Sequence, residues 1–309
     1  MRTLTVGAGA IGGYFGARLL GSGRDVTFLV RPGRAESLAR SGLIVRSRFG
    51  DIEIKDPPIR LAANLSEAFD LIILSCKAYD LDEAIASFAP AVGPGTTILP
   101  LLNGMQHLDA LDRHFDPSHT VGGLCVISTT LDTEGRIIHL NDVHALAFGE
   151  RDGTMTPRME RINAVMANAN FDARLSSEIM QEMWEKWVFI ASVAGINCLM
   201  RATIGDIVEA GGAALSERLL AECSAIAAAN GFPLRPATLE RNKKVLTSPG
   251  SAMMASMLRD VERGGRIEAD HILGDLLSRS PSAKDALSLL HIAYTHLKAY
   301  EARRMREAG

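Results

Sequence analysis

Cysteine is scarce in this chain, and the four present, Cys76, Cys125, Cys198 and Cys223, stand far apart. No C-x-x-C occurs, which argues against a disulfide framework and a zinc site and suits a reducing compartment. Long apolar runs are missing too. The longest uncharged apolar stretch, Trp187 to Met200, falls short of the roughly 20 residues that span a bilayer and reads as a buried helix. Excess charge of one sign is also absent. The 33 basic and 36 acidic residues leave a net charge of −3, so no global field draws the chain to nucleic acid or an anionic membrane. Among the histidines there is no H-E-x-x-H and no compact ligand set, so no metal is expected. No G-x-S-x-G elbow suggests a hydrolase. Internal repeats, a low-complexity tail and a signal-peptide pattern are lacking as well. The expectation is a soluble, cytoplasmic protein.

What is there begins at the N-terminus. The apolar run Thr3–Val6 drives into Gly7-Ala8-Gly9-Ala10-Ile11-Gly12, glycines spaced G-x-G-x-x-G. Each glycine answers a different steric demand. Gly7 allows the tight turn after the strand, and Gly9 lets the backbone approach a pyrophosphate. Gly12 lets the following helix sit close on the strand, its N-terminal N–H groups and positive dipole end facing the anion. The spacing alone is weak, but a β-rich run before it and a helical pattern after it, Tyr14 to Leu20, supply the context of a dinucleotide site.

A chain of 309 residues with 47% hydrophobic content predicts two domains. The first half alternates strand-like runs (Thr3–Val6, Val26–Val30, Leu71–Ser75, Thr97–Leu101) with helical patterns (Ile11–Leu20, Ala35–Arg40, Leu81–Phe88, Gln106–Phe115). Such alternation predicts an α/β domain, a Rossmann-type parallel sheet wrapped by helices. The longer β-rich segments Val121–Thr130 and Arg136–Phe148 are expected to extend that sheet or cover its edge. After about Ser176 strand signals vanish. Helical periodicity follows at Glu178–Met200, Ala213–Ala229, Ala252–Arg263, Glu268–Leu277 and Ala283–Arg304, so the second domain is expected to be all-α. The division falls at residues 1–175 and 176–309, with no proline-rich linker, so the halves are expected to pack closely.

The residue closing the second strand selects the cofactor. An NAD site places an acid there for the ribose 2′-hydroxyl. Here Asp25 sits at the wrong end, on the order of 17 Å away at strand rise, and Arg31 closes the strand with Arg34 nearby. Lys77 closes the next candidate strand on the same rim. A guanidinium suits a 2′-phosphate, so NADP(H) is expected; the plainer reading of Arg31 is a solvated loop arginine.

Lys186 is the sharpest feature of the second half. Its helical neighbours are Ile179, Met183, Phe189, Ile190, Val193 and Asn197, with Glu182 one turn back. Lysines are seldom buried unpaired, and desolvation makes a lysine a better proton donor near neutrality. The other reading is an i,i+4 ion pair with Glu182, worth a few tenths of a kcal/mol. Glu268 opens a helix after Gly264-Gly265-Arg266-Ile267 and on its own reads as a favourable first-turn acid. Asn103 follows the strand Thr97–Leu101, at the carboxyl end where ligands of open α/β sheets sit, or serves as a turn asparagine. His139 and His144 read as structural, and Met253, Met254 and Met257 as a helical core stripe.

Taken together these runs resemble the ketopantoate reductase (2-dehydropantoate 2-reductase) family over nearly the whole chain. The matching segments are Gly7-Ala-Gly-Ala-Ile-Gly12, Ser75-Cys-Lys77-Ala-Tyr79, Leu102-Asn103-Gly-Met105, Gly135-Arg-Ile-Ile-His139, Met183-Trp-Glu-Lys186, Ser256-Met-Leu-Arg-Asp260 and Glu268-Ala-Asp270. The resemblance implies NADPH-dependent reduction of a 2-keto acid to a 2-hydroxy acid in the cleft between the domains, first of all 2-dehydropantoate to pantoate in pantothenate biosynthesis. It implies Lys186 as proton donor, with Glu268 contacting cofactor or substrate and positioning Lys186. It further implies Asn103 as contact to substrate and nicotinamide ribose, Ser256 as substrate contact, and Arg31 with Lys77 at the 2′-phosphate. A homodimer through the helical domain is common in the family. Ile190 and Ala194 stand where many members carry substrate-contacting asparagines, which leaves the natural keto acid open, and Asn197 and Arg201 are candidate replacements. Two rival readings stay open: a related NADP-dependent dehydrogenase of another hydroxy acid or a polyol phosphate, and a non-catalytic NADP(H)-binding regulator.

Overall fold

The computed structural model describes residues 1–281 and 287–308, so the start of the expected helix Ala283–Arg304 lies outside the described residues. The chain forms two compact units: Met1–Leu102 with His107–Met180, and Asn103–Gln106 with Gln181–Gly309.

In the first unit the strands are β1 (Thr3–Val6), β2 (Val26–Leu29), β3 (Leu43–Arg46), β4 (Ile52–Ile54), β5 (Ile59–Arg60), β6 (Leu71–Leu74), β7 (Thr97–Pro100), β8 (Gly122–Leu131), β9 (Ile137–Gly149) and β10 (Asp172–Leu175). The helices are α1 (Ala10–Gly21), α2 (Pro32–Ser41), α3 (Leu81–Phe88), α4 (Gln106–His114) and α5 (Pro157–Met166). A parallel sheet runs in the order β5-β2-β1-β6-β7. Its central strands β1 and β6, with β7, are buried at every position, and β6 accordingly reads as an unbroken apolar run, whereas the edge strand β5 is not buried. Leu71 and Ile73 face one core with Tyr14, Phe15 and Leu19 of α1. Ile72 and Leu74 face the other, with Leu81, Ile85 and Phe88 of α3 and Leu111 of α4. The β-rich segments expected to extend this sheet or cover its edge touch it only at their start, where Val121 N–H donates to the Ile98 carbonyl of the edge strand β7 at 3.1 Å. They form a second sheet, β10-β9-β3-β4, with β8 along β9. The cause is pairing distant in sequence: Val45 of β3 lies opposite Ile137 of β9, and Ala145 to Phe148 lie opposite β10. Helix α1 runs between the two sheets, its Gly16 against the Phe28 ring and its Gly13 against the Ile137 side chain.

The second unit is helical, as the periodicity after Ser176 predicts. Its elements are α6 (Ile179–Met200), which starts at the end of the first unit, then α7 (Ile204–Glu209), α8 (Ala213–Ala229), α9 (Pro236–Leu246), α10 (Ser256–Glu262), α11 (Asp275–Ser278) and α12 (Leu289–Ala308). Thr203 and Asp206 form a capping box that starts α7, and Pro236 takes the first position of α9. Helix α6 is buried from Ala191 to Cys198 on every side. Two expectations need correction here. The helix Ala252–Arg263 begins only at Ser256, because residues 251–255 carry main-chain bonds to the next segment instead: Ile204 N–H donates to the Met253 carbonyl and Gly205 N–H to that of Ser251. Met253 is therefore 37% exposed and outside any helical stripe, whereas Met257 is buried. The second correction is at Glu268–Leu277, where a π-helical turn, Asp270–Gly274, interrupts the run before α11.

Among the described residues no helix is long and apolar enough to cross a membrane.

Candidate active site

In the first unit the carboxyl ends of the adjacent strands β2, β1 and β6 carry the expected cofactor residues. Gly7 leaves β1 with φ +91°, a left-handed conformation that favours glycine. Gly9 caps α1 without a side-chain bond, and no acidic residue occupies the first turn, so nothing opposes an anion there. A Cβ built on Gly12 would run into the Ser75 hydroxyl and stand 2.6 Å from the Gly7 carbonyl oxygen. A Cβ on Gly7 or Gly9 meets no protein atom within 4 Å. So Gly12 is demanded by the protein's own packing, while Gly9 keeps open a space the protein does not fill. That is the cradle a pyrophosphate needs, and the residues present fit a dinucleotide. Ala8 is buried, and Ala10 and Ile11 are half-buried in the first turn of α1.

Arg31 precedes Pro32 as the N-cap residue of α2. Its guanidinium, 58% exposed, pairs with Glu83 at 2.6 Å and Asp80 at 3.5 Å. Exposed pairs of this kind are worth only about 0–1 kcal/mol, so they hold the cation on the rim without committing it. Lys77 follows β6 as the residue before the short turn Ala78–Asp80. Arg34 proves to be a structural clamp: its Nε donates to the Ala8 carbonyl at 3.0 Å and its Nη1 to the Gly135 carbonyl at 2.9 Å.

In the second unit α6 is the spine. Lys186 is half-buried and sits between two anchored neighbours. Before it, the Glu185 carboxylate, 6% exposed at its side chain, accepts from the Arg235 main chain at 2.9 Å and from its guanidinium at 2.5 Å. Burial pushes the Glu185 pKa up, but the bonds from Arg235 outweigh it and hold the carboxyl below its usual range. After it, the Trp187 ring N–H donates to the Ile272 carbonyl at 2.9 Å. That carbonyl belongs to the π-turn that follows Glu268. Glu268 itself is half-buried just ahead of the turn, and its carbonyl accepts from Ile272 N–H at 3.0 Å.

Asn103 and Gly104 fold with this unit rather than with the sheet they follow. Gly104 has φ +77°, and a Cβ there would stand 2.7 Å from the His271 carbonyl oxygen. Asn103 and Glu268 are thus brought to the same π-turn, from opposite ends of the sequence. Ser256 lies exposed at the first position of α10. The residue before it is tied to α6, since Ala255 N–H donates to the Asn197 Oδ1 at 2.9 Å. Asn197 therefore does not replace the missing asparagines: it is fully buried, and its Nδ2 is spent on the Ala202 carbonyl at 2.8 Å. Arg201 is a surface residue beyond α6, 3.7 Å from Glu262. Along the Lys186 face of α6, Ile190 is half-buried and Ala194 buried. No sequence pattern singles out Arg34 as a clamp or His271 as a neighbour of Asn103, because both contacts depend on folding.

Comparison with known proteins covers almost the entire chain. The family described as "Ketopantoate reductase PanE/ApbA" matches residues 3–153, and its C-terminal counterpart matches residues 178–301. The chain is 35% identical over 303 residues to the "Uncharacterized oxidoreductase YkpB" of Bacillus subtilis, covering 98% of this chain and 99% of that protein. It is 28% identical over 320 residues to a 2-dehydropantoate 2-reductase of Mesorhizobium japonicum, covering 94% and 96%. The crystal structure of 2-dehydropantoate 2-reductase from Methylococcus capsulatus superimposes with a TM-score of 0.86 at 27% identity, covering 98% of each chain.

Proposed function

The chain belongs to the ketopantoate reductase family, and from that premise we propose that it reduces a 2-keto acid, first of all 2-dehydropantoate, to the 2-hydroxy acid. It is an oxidoreductase that uses a nicotinamide cofactor, NADP(H) in this family. The observation that carries the reading is Lys186, the one lysine of α6, half-buried and fixed between two anchored residues. An ammonium so held meets the chemical need of carbonyl reduction, a cation and a proton for the oxygen that becomes negative.

The roles follow from the residue types. Residues 1–175 form the cofactor domain and 176–309 the substrate and catalytic domain. The turn Gly7 to Gly12 takes the pyrophosphate, and Arg31 with Lys77 takes the 2′-phosphate. NADPH, when bound, supplies the hydride. Lys186 Nζ stabilises the developing alkoxide and gives it a proton. Glu268 orients Lys186 and contacts cofactor or substrate. Asn103 holds the substrate and the nicotinamide ribose through its amide, and Ser256 offers a hydroxyl to the substrate. Assembly as a homodimer through the helical domain belongs to the same proposal, and light scattering checks it.

A second reading concerns the substrate. Ile190 and Ala194 give the Lys186 face an apolar lining, which favours a 2-keto acid with an apolar side chain over a hydroxylated one. NADPH consumption with 2-dehydropantoate and a panel of linear, branched and aromatic 2-keto acids tests both. Turnover of 2-dehydropantoate at the highest kcat/KM supports the first, and a preference for an apolar keto acid supports the second. Cofactor binding without turnover of any keto acid overturns the reductase reading.

A further inference from the structure

His271 is a buried titratable residue to which the roles above assign no part. It is 5% exposed and second in the π-turn Asp270–Gly274. Its ring is hydrogen-bonded to the main chain of Asn103, in the sense that stabilises a ring proton, so a ring N–H donates to the Asn103 carbonyl. The contact is close along its length. A Cβ on Gly104 would lie 3.0 Å from the His271 Cδ2 and 3.5 Å from its Nε2, so the turn after Asn103 can rest on the ring only as glycine.

The platform under the ring is braced at alternate residues. Asp270 accepts the Tyr294 hydroxyl at 2.7 Å and the Lys298 ammonium at 2.8 Å. The Ile272 carbonyl accepts the Trp187 ring N–H at 2.9 Å, one residue from Lys186. Gly274 lies against the Tyr294 ring, where a Cβ would stand 2.9 Å from it. A π-turn offsets the helical register through an i,i+5 main-chain bond, here from Asp275 N–H to the Asp270 carbonyl, and turns of this kind recur at functional sites. Burial pushes the His271 pKa below its ordinary value of 6.5 despite nearby Glu268 and the Asn103 bond, and Arg279 adds to the lowering. The ring is therefore neutral at neutral pH, a hydrogen-bond donor rather than a second cation beside Lys186.

We infer that His271 is a positioning residue of the reduction: by holding the Asn103 carbonyl, its ring N–H fixes the Asn103 amide relative to Glu268 and Lys186. This rests on the proposed role of Asn103 in contacting substrate and ribose. The side chain acts through Asn103 and touches neither substrate nor cofactor, which separates it from a catalytic residue.

A double-mutant cycle tests the inference in the full-length enzyme, with NADPH and the best 2-keto acid. Wild-type turnover, and its loss in Asn103→Ala, examine the underlying reading by themselves. His271→Phe should lower kcat/KM by about tenfold or more, and the double variant His271→Phe/Asn103→Ala should be no slower than Asn103→Ala alone. His271→Gln, which keeps an N–H donor, should recover most of the rate. Losses that multiply, or a Gln variant as slow as Phe, would overturn the inference while leaving the reductase reading intact. An Asn103→Ala variant with wild-type kinetics would remove the role of Asn103 and this inference with it. Should Phe prevent folding, the wild type still decides. Histidine ¹⁵N NMR should show His271 as a neutral ring with its proton hydrogen-bonded at neutral pH, and a charged ring would refute the assignment.

Discussion

The Arg34 guanidinium reaches from α2 to the Ala8 carbonyl, 3.0 Å away, and so clasps the glycine turn one residue before Gly9. Arg31, three residues earlier, points its charge to the rim instead, toward Glu83 and Asp80. Two arginines of one segment thus carry different tasks. Arg34→Ala removes a charge-assisted bond from a buried carbonyl, so it should cost about 1.5–3 kcal/mol of stability and weaken NADPH and NADH alike. Arg31→Ala should leave stability nearly unchanged and weaken NADPH far more than NADH. Equilibrium denaturation and titration with each cofactor check both. Equal losses of the two cofactors in Arg31→Ala would show that Arg31 does not read the phosphate.

The glycines of the same turn should also separate. Gly12→Ala drives a methyl toward a main-chain oxygen, Gly7 O at 2.6 Å, which cannot step aside. About 1–3 kcal/mol of stability should be lost to overpacking. Gly9→Ala meets no protein atom within 4 Å and should change stability by no more than about 1 kcal/mol. Its methyl occupies the pyrophosphate space, so cofactor affinity should fall sharply. Denaturation midpoints and cofactor dissociation constants measured on the two variants give the contrast directly.

His144 gives a pH dependence with a definite sign. The ring is 5% exposed, stacks on Phe49 with centroids 3.8 Å apart, and shares a 2.7 Å hydrogen bond with the Tyr14 hydroxyl. Burial holds its pKa below 6.5; Asp172 pulls it up, while Arg18 and His139 push it down. The unfolded chain therefore takes up this proton first as pH falls. Stability is full above the ordinary histidine value and declines as pH drops through about 6.5 toward the lower folded value, then levels off. Between about pH 7 and about pH 5 the Tm of His144→Gln should fall less than that of the wild type. Parallel curves would show that His144 does not contribute the slope.

Much of the parallel sheet was legible in the sequence because local pattern specifies it. The run Leu71–Leu74 is a continuous apolar strand, Thr3–Val6 alternates threonine with Leu4 and Val6, and the glycines between β1 and α1 mark their turn. Of the second sheet only the two long strands were legible: β8 and β9 fall on the β-rich segments Val121–Thr130 and Arg136–Phe148. Strands β3, β4 and β10 are three or four residues long, and β3 exists by pairing Val45 with Ile137, far along the chain. The π-turn escaped for a similar reason, since Glu268–Leu277 carries a good helical pattern and only Trp187, Tyr294 and Lys298 reveal where it is pinned. In the candidate site, Gly9 and Lys186 stand on strong local patterns that a sequence displays. The contacts that make Arg34 a clamp on Ala8 and Gly135, and that tie Asn197 to Ala202 and Ala255, are not displayed, because they depend on how the chain folds.

Lys186→Ala is the most direct test of proton delivery from α6. With NADPH and the preferred 2-keto acid, kcat should fall by at least about 10²-fold while the NADPH dissociation constant stays within a few-fold of wild type. Turnover at the wild-type rate in that variant would contradict the assignment of Lys186 as the proton donor.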